Sequence, residues 1–240
     1  MPFGTLKTKE ARGPIPLCSP PYPVGLDEFT DITDMIPEEL ELEDEPIVTL
    51  TLFNYGMSPI GPYNEFVCGV EVKFQGNKMP FSIELILNNE GAIYAGRERW
   101  SIPKLMGVVE FDPSATNSAP NGIITGHVER PAGCKLVQFG FKPLKKVQDW
   151  GVLDGMKRQS LHLRSIPAAN SHDPPILREF IPTCMEITHA EVWAGEGSVG
   201  LFNVSEFGPV HRLKVVKYVG ATLCRGARAV LHPTSKTFAI

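Results

Sequence analysis

The chain has 240 residues, 42% hydrophobic and 21% charged, which supports a single domain over 1–240 able to bury a core without disulfides or metals. Its mild net charge of −4, with no basic stripe, excludes nucleic acid as a partner. No apolar run suits a membrane-spanning helix or, within Met1 to Pro16, a secretory signal, and five scattered cysteines (Cys18, Cys68, Cys134, Cys184, Cys224) argue against a disulfide framework or a paired-ligand zinc site, so a reducing cytoplasmic compartment is expected.

Residues 1 to about 40 read as an arm laid over the domain. Asp31 to Ile36 suits a short turn before Pro37, and the acidic cluster Glu38, Glu39, Glu41, Glu43, Asp44 and Glu45 reads as a solvated turn. Strands follow, marked by β-branched and aromatic residues between glycine and proline punctuation. Ile47 to Phe53 is the first. In Glu65 to Phe74 the alternation puts Phe66, Cys68, Val70, Val72 and Phe74 on one face and Glu65, Val67, Gly69, Glu71 and Lys73 on the other. Further strands are expected at Phe81 to Leu87, Gly107 to Phe111, Gly122 to Val128, Lys135 to Phe141, Leu161 to Ile166, Met185 to Trp193, Ser198 to Phe202 and Ala227 to His232. Val210, Leu213, Val216 and Val219, spaced by three, predict a helix over Val210 to Val219. The class is mainly β, an α+β chain with few short helices whose antiparallel sheet is closed or strongly curved to protect its edges.

Common catalytic signatures are missing: there is no Walker loop, no Gly-x-Ser-x-Gly elbow and no His-Glu-x-x-His. His189 and Glu191 share a strand face but lack a third ligand, so no metal is expected. Gly195-Glu196-Gly197 reads as a turn between two strands, because no helix opens after it. The distinctive segment is Gly96-Arg97-Glu98-Arg99-Trp100-Ser101-Ile102-Pro103-Lys104. A lysine among apolar neighbours has its ammonium form disfavoured, and the neutral amine attacks carbonyl carbon. Spacing alone equally describes a surface lysine near a strand end.

That segment resembles the Gly-Arg-Glu-x-x-x-x-Pro-Lys-Lys motif of the acetoacetate decarboxylase family, whose first lysine falls on Lys104. Tyr63-Asn64-Glu65 resembles the family's Tyr-x-Glu, Phe139-Gly140-Phe141-Lys142 its aromatic-Gly-aromatic-Lys strand, and Glu191-Val192-Trp193-Ala194-Gly195 with Leu201-Phe202 its Glu-x-Trp-x-Gly and Leu-Phe strands. The resemblance implies a curved or cone-shaped β-barrel around an apolar pocket and, as is frequent in the family, a homo-oligomer. It also implies a mechanism without a cofactor. The lysine forms a Schiff base with a keto acid, the cationic imine accepts the electrons released with carbon dioxide, and hydrolysis of the enamine returns a ketone. On this basis Lys104 and Glu65 are the expected catalytic residues, and Tyr63, Ile86, Arg97, Ile102 and Leu105 the expected substrate-binding ones.

Three departures bear on the substrate. Leu105 replaces the family's second lysine, removing a cation beside the nucleophile and leaving burial to activate it unless Arg97, Arg99 or Lys142 approaches. Thr51 stands where a family glutamate is expected, and Ile102 replaces a tyrosine. No arginine matches the family's arm arginine near Cys18; Arg12 is the nearest. These changes suit a ketone or keto acid bulkier than acetoacetate, processed by a carbon–carbon lyase of decarboxylase or aldolase-dehydratase type, with a role in secondary metabolism as a further expectation. A cyclase or isomerase using the same pocket without a covalent step, and a binding barrel without catalysis, are the competing readings.

Overall fold

The computed structural model describes residues 33–43, 46–112, 122–147, 156–170, 172–188, 191–203, 208–213, 215 and 217–240, with strand backbone at 11–12 and 21–23. Among these the strands are β1 (Ala11–Arg12), β2 (Pro21–Pro23), β3 (Glu41–Leu42), β4 (Ile47–Tyr55), β5 (Tyr63–Phe74), β6 (Asn77–Leu87), β7 (Lys104–Met106), β8 (Val108–Phe111), β9 (Ile124–Glu129), β10 (Lys135–Lys146), β11 (Met156–Ile166), β12 (Leu177–Thr188), β13 (Glu191–Leu201), β14 (Ala221–Arg225), β15 (Arg228–His232) and β16 (Phe238–Ala239). One α-helix, α1 (Glu90–Trp100), lies between β6 and β7.

The larger, curled sheet has eleven strands in the order β1-β15-β12-β11-β6-β5-β4-β2, with β16 joined to β12, β3 to β5 and β7 to β6. The smaller runs β14-β13-β10-β9-β8. Pairing is antiparallel except where β6 meets β11 and β7.

Alternation decides what each face of the larger sheet does. Leu50 and Leu52 of β4 and Phe66, Cys68 and Val70 of β5 pack against Val109, Val128, Leu136, Val137 and Phe139 of the smaller sheet, forming the main core. The opposite face carries Thr49, Thr51, Phe53 and Tyr55 of β4 with Glu65, Val67, Gly69 and Glu71 of β5, and lines a large cavity. The two faces of β5 are thus divided as alternation predicts. On β6 a bulge leaves Ile83 without a partner between the pairs Cys68–Glu84 and Gly69–Ser82. Its extra residue shifts the phase, so Ser82 and Leu85 both face the cavity.

Several local expectations need correcting. Met185 to Trp193 is not one strand but the end of β12 and the start of β13, with His189 outside the described residues. Gly195-Glu196-Gly197 lies inside β13, not in a turn; a Cβ on Gly195 would meet the Phe141 ring, so this glycine makes room for an aromatic of β10. Val210 to Val219 forms only a 3₁₀ turn, Pro209–Arg212, after which the described residues are not helical. Val210 and Leu213 still reach the core at the expected spacing. The arm contributes β1 and β2, paired with β15 and β4; Cys18 and the Arg12 side chain lie outside the described residues.

Glu84, on the core side of β6, is 1% exposed, and neither carboxyl oxygen has a hydrogen-bond partner among the described residues. Burial raises its pKa to about 7, with the charge of Arg130 pulling the other way. A folded pKa above the unfolded value means the stability is fully present below about pH 4.5 and is lost as pH rises through 7. Between pH 5 and pH 8 the protein should lose on the order of 2 kcal/mol through this group, and Glu84→Gln should remove that part of the slope. Urea unfolding of both proteins at the two pH values reads this directly, and parallel pH dependences would exclude it.

Candidate active site

Lys104 is delivered by a parallel β6–α1–β7 crossover. Two parallel neighbours need a connection of about a dozen residues, usually helical, to return the chain to the same end of the sheet. Asn89 caps the helix by accepting from the Ala92 amide at 2.9 Å, and Ser101, at φ 51°, ends it with its amide donating to the Arg97 carbonyl. Pro103 then prevents continuation, and β7 pairs Lys104 with Leu85. The helix buries Ala92, Gly96 and Trp100, one residue per turn. A Cβ on Gly96 would lie 2.7 Å from the Lys104 side-chain carbons, so the glycine leaves the channel through which the lysine stem passes.

At the end of that stem, Lys104 Nζ lies 2.9 Å from Glu65 Oε1. The residues are only 8% and 3% exposed, and both line the cavity. The contact has ion-pair distance without hydrogen-bond alignment, which leaves Oε1 without a formal hydrogen-bond partner. The Tyr63 ring centroid is 6.0 Å from Nζ and 4.6 Å from the Tyr55 ring. Burial, then the nearby Glu65 charge, pushes both phenols well above their ordinary range, so they remain protonated.

His162 joins this group although the sequence reading passed over it. It is 3% exposed, its Nε2 lies 2.9 Å from Thr183 Oγ1, and its Nδ1 has no hydrogen-bond partner among the described residues. Burial, helped by the Lys104 charge, lowers its pKa to about 3, so the imidazole is neutral at physiological pH. A signal was present: Leu161 and Leu163 alternate with it in a predicted strand, and both pack on the core, leaving His162 to the other face.

Of the expected site residues, Lys104, Glu65, Tyr63 and Ile102 share the cavity, while Arg97, Leu105 and Ile86 do not line it. Arg97 donates from Nη1 to the Lys104 carbonyl at 3.0 Å, holding β7 against the helix. Leu105 and Ile86 pair across β7 and β6 and pack in the main core. Position 105 therefore does not place a side chain beside the Lys104 amine. Arg99, whose guanidinium stacks 5.0 Å over Trp100, and Thr51 line the cavity; Lys142 is exposed on the smaller sheet. Glu191 is occupied by Lys146, Trp193 and Arg225, whose hydrogen bonds outweigh the opposing effect of burial and hold its pKa at about 2. No group of three metal-ligating side chains occurs among the described residues, and no described helix is long and apolar enough to cross a membrane.

A buried amine against a carboxylate, at the wall of an apolar cavity in a curled sheet, defines a carbonyl-processing fold of the lyase type. The acetoacetate decarboxylase (ADC) family model matches residues 28–235. The chain belongs to that family and is a decarboxylase or related lyase. It is 37% identical over 240 residues to Decarboxylase DEC1 of Cochliobolus heterostrophus, covering 93% of this chain and 94% of that one. With acetoacetate decarboxylase of Clostridium acetobutylicum it shares 28% over 223 residues, covering 86% and 87%. The crystal structure of acetoacetate decarboxylase from Legionella pneumophila superposes with a TM-score of 0.78 at 21% identity, covering 96% of this chain and 87% of that chain.

Proposed function

We propose that the protein is a carbon–carbon lyase that decarboxylates a keto acid through an imine on Lys104, with a substrate other than acetoacetate. The observation that carries this reading is the buried Lys104–Glu65 contact of 2.9 Å at the cavity wall. The amine is close enough to the carboxylate for Glu65 to take up and return the protons that imine formation and hydrolysis require. Tyr55, Tyr63 and neutral His162 surround the pair with polar groups that carry no charge of their own. The substrate preference rests on the walls. Thr51 stands where the family resemblance places a glutamate and Ile102 where it places a tyrosine, so the cavity is less acidic and more apolar there. Its volume, about 1760 Å³, far exceeds what a four-carbon keto acid fills.

Borohydride trapping tests the covalent step. With a panel of ketones and keto acids, mass spectrometry should find the reduced adduct on the Lys104 peptide, and Lys104→Met should abolish it. A folded wild-type protein that turns over a keto acid without any adduct on Lys104 would instead support acid–base catalysis without a covalent intermediate.

A further inference from the structure

The cavity continues well beyond the reactive pair, and strand register shows what lies along it. Thr51, Val67 and Leu85 form one row across β4, β5 and β6, with Lys104 beside Leu85. The next row along the strands is Thr49, Gly69 and Ser82, again in register across the three strands. Farther across the sheet, β11 meets β6 at Leu161–Phe81, and Ser160 pairs with Thr183 on β12. All of these except Leu161 and Phe81, which face the core, line the cavity. The floor beyond the Lys104–Glu65 pair is thus built from short side chains on five successive strands. The walls above it are apolar: Phe53, Ile102, Met185 and Leu231 all line the same space. His162, buried with an unpartnered Nδ1, borders this floor at its junction with the reactive pair.

Short residues on a cavity floor leave depth, and apolar walls favour an occupant that removes them from water. Gly69 sits four residues beyond Glu65, roughly 13 Å along β5 at the usual strand rise. A chain attached at Lys104 and laid over Gly69 therefore needs about ten carbons, given that strand rise. We propose that the substrate is a 3-oxo acid with an extended apolar tail, which runs from Lys104 over the Thr49–Gly69–Ser82 row. This inference rests on the imine-forming reading of Lys104. The amine adds to the C3 carbonyl and water leaves. The C1–C2 bond then breaks, carbon dioxide departs, and the electron pair passes into the enamine. A proton returns to C2, and water cleaves the C=N bond to give the free amine and a methyl ketone one carbon shorter than the acid. Tail contacts far from the reacting carbons supply binding energy that the enzyme can use to hold C3 against the amine.

The test is a series of straight-chain 3-oxo acids from C4 to C16, followed by release of carbon dioxide. kcat/KM should rise about fourfold for each methylene buried, until the tail passes Gly69, and then level off. Gly69→Leu fills the floor. Its Cβ would meet Pro80 Cβ at 3.4 Å and the Phe81 carbonyl at 3.5 Å, ordinary contacts that leave the fold intact. The ratio of kcat/KM for C12 over C4 should drop by at least about fiftyfold in this variant, since several methylenes lose their place. Thr49→Leu, on the neighbouring strand, should lower the same ratio. A wild-type profile that is flat or falls from C4 to C12 overturns the proposal, as does a ratio unmoved in both folded variants. Binding separates this claim from the imine chemistry. Lys104→Met cannot form an imine, yet its Kd for 2-undecanone should be far tighter than for acetone. If no oxo acid is decarboxylated while that length dependence holds, the tail site stands and the imine reading fails; if affinity is independent of length, the tail site fails.

Discussion

Replacing Leu105 with lysine is expected to destabilise the protein by about 3 to 5 kcal/mol, the usual cost of leaving a buried charge uncompensated. The sequence suggests the opposite use for this position, as a place to restore a cation next to the nucleophile. The fold forbids it. Lys104 and Leu105 are consecutive on β7, and consecutive strand residues point to opposite sides. Lys104 enters the cavity, so Leu105 enters the core, in register with the fully buried Ile86. An ammonium there would either stay charged among apolar side chains or give up its proton, and both cost folding free energy. Chemical denaturation should show the loss, while Leu105→Met, which conserves volume, should cost less than about 1.5 kcal/mol. A Leu105→Lys protein as stable as wild type would mean that β7 presents its other face to the cavity.

The same alternation explains how much of the molecule was legible before the structure. The two faces of β5 could be assigned from sequence, because its apolar residues recur every second position without interruption. Ile86 could not. Counting by two from Pro80 and Ser82 carries Ile86 onto the cavity face, but the unpaired Ile83 shifts the phase and sends it into the core. Nothing in the composition of β6 announces that bulge. Helix α1 was missed for a different reason: its buried positions are Ala92, Gly96 and Trp100, two of them too small to register as an apolar stripe. Strand β12 was read only at its end, because Pro182 interrupts a run that otherwise suits a strand. The pairing of Lys104 with Glu65 spans 39 positions, and no local pattern connects the two. Family resemblance marked both residues, and the crossover through α1 accounts physically for their meeting.

That meeting also sets the largest expected effect on turnover. Glu65→Gln keeps the size and shape of the side chain but removes its charge and its ability to accept a proton. In the wild type the carboxylate oxygen sits 2.9 Å from Nζ, within reach of the protons that move when the amine adds to a carbonyl and when water leaves. An amide at that distance can orient the amine but cannot shuttle the proton. kcat should therefore fall by about 10²- to 10⁴-fold, the range lost when a positioned acid–base group is removed. The adduct on Lys104 should still appear under borohydride, only more slowly, because the nucleophile itself remains. This separates Glu65→Gln from Lys104→Met, which should yield no adduct at any time. Burst and steady-state measurements on one 3-oxo acid would show whether imine formation or a later step is slowed. If Glu65→Gln turned over within threefold of wild type while remaining folded, the carboxylate would be a structural counter-charge for Lys104, and proton transfer would have to pass instead through another cavity group, with neutral His162 beside the pair the first to substitute.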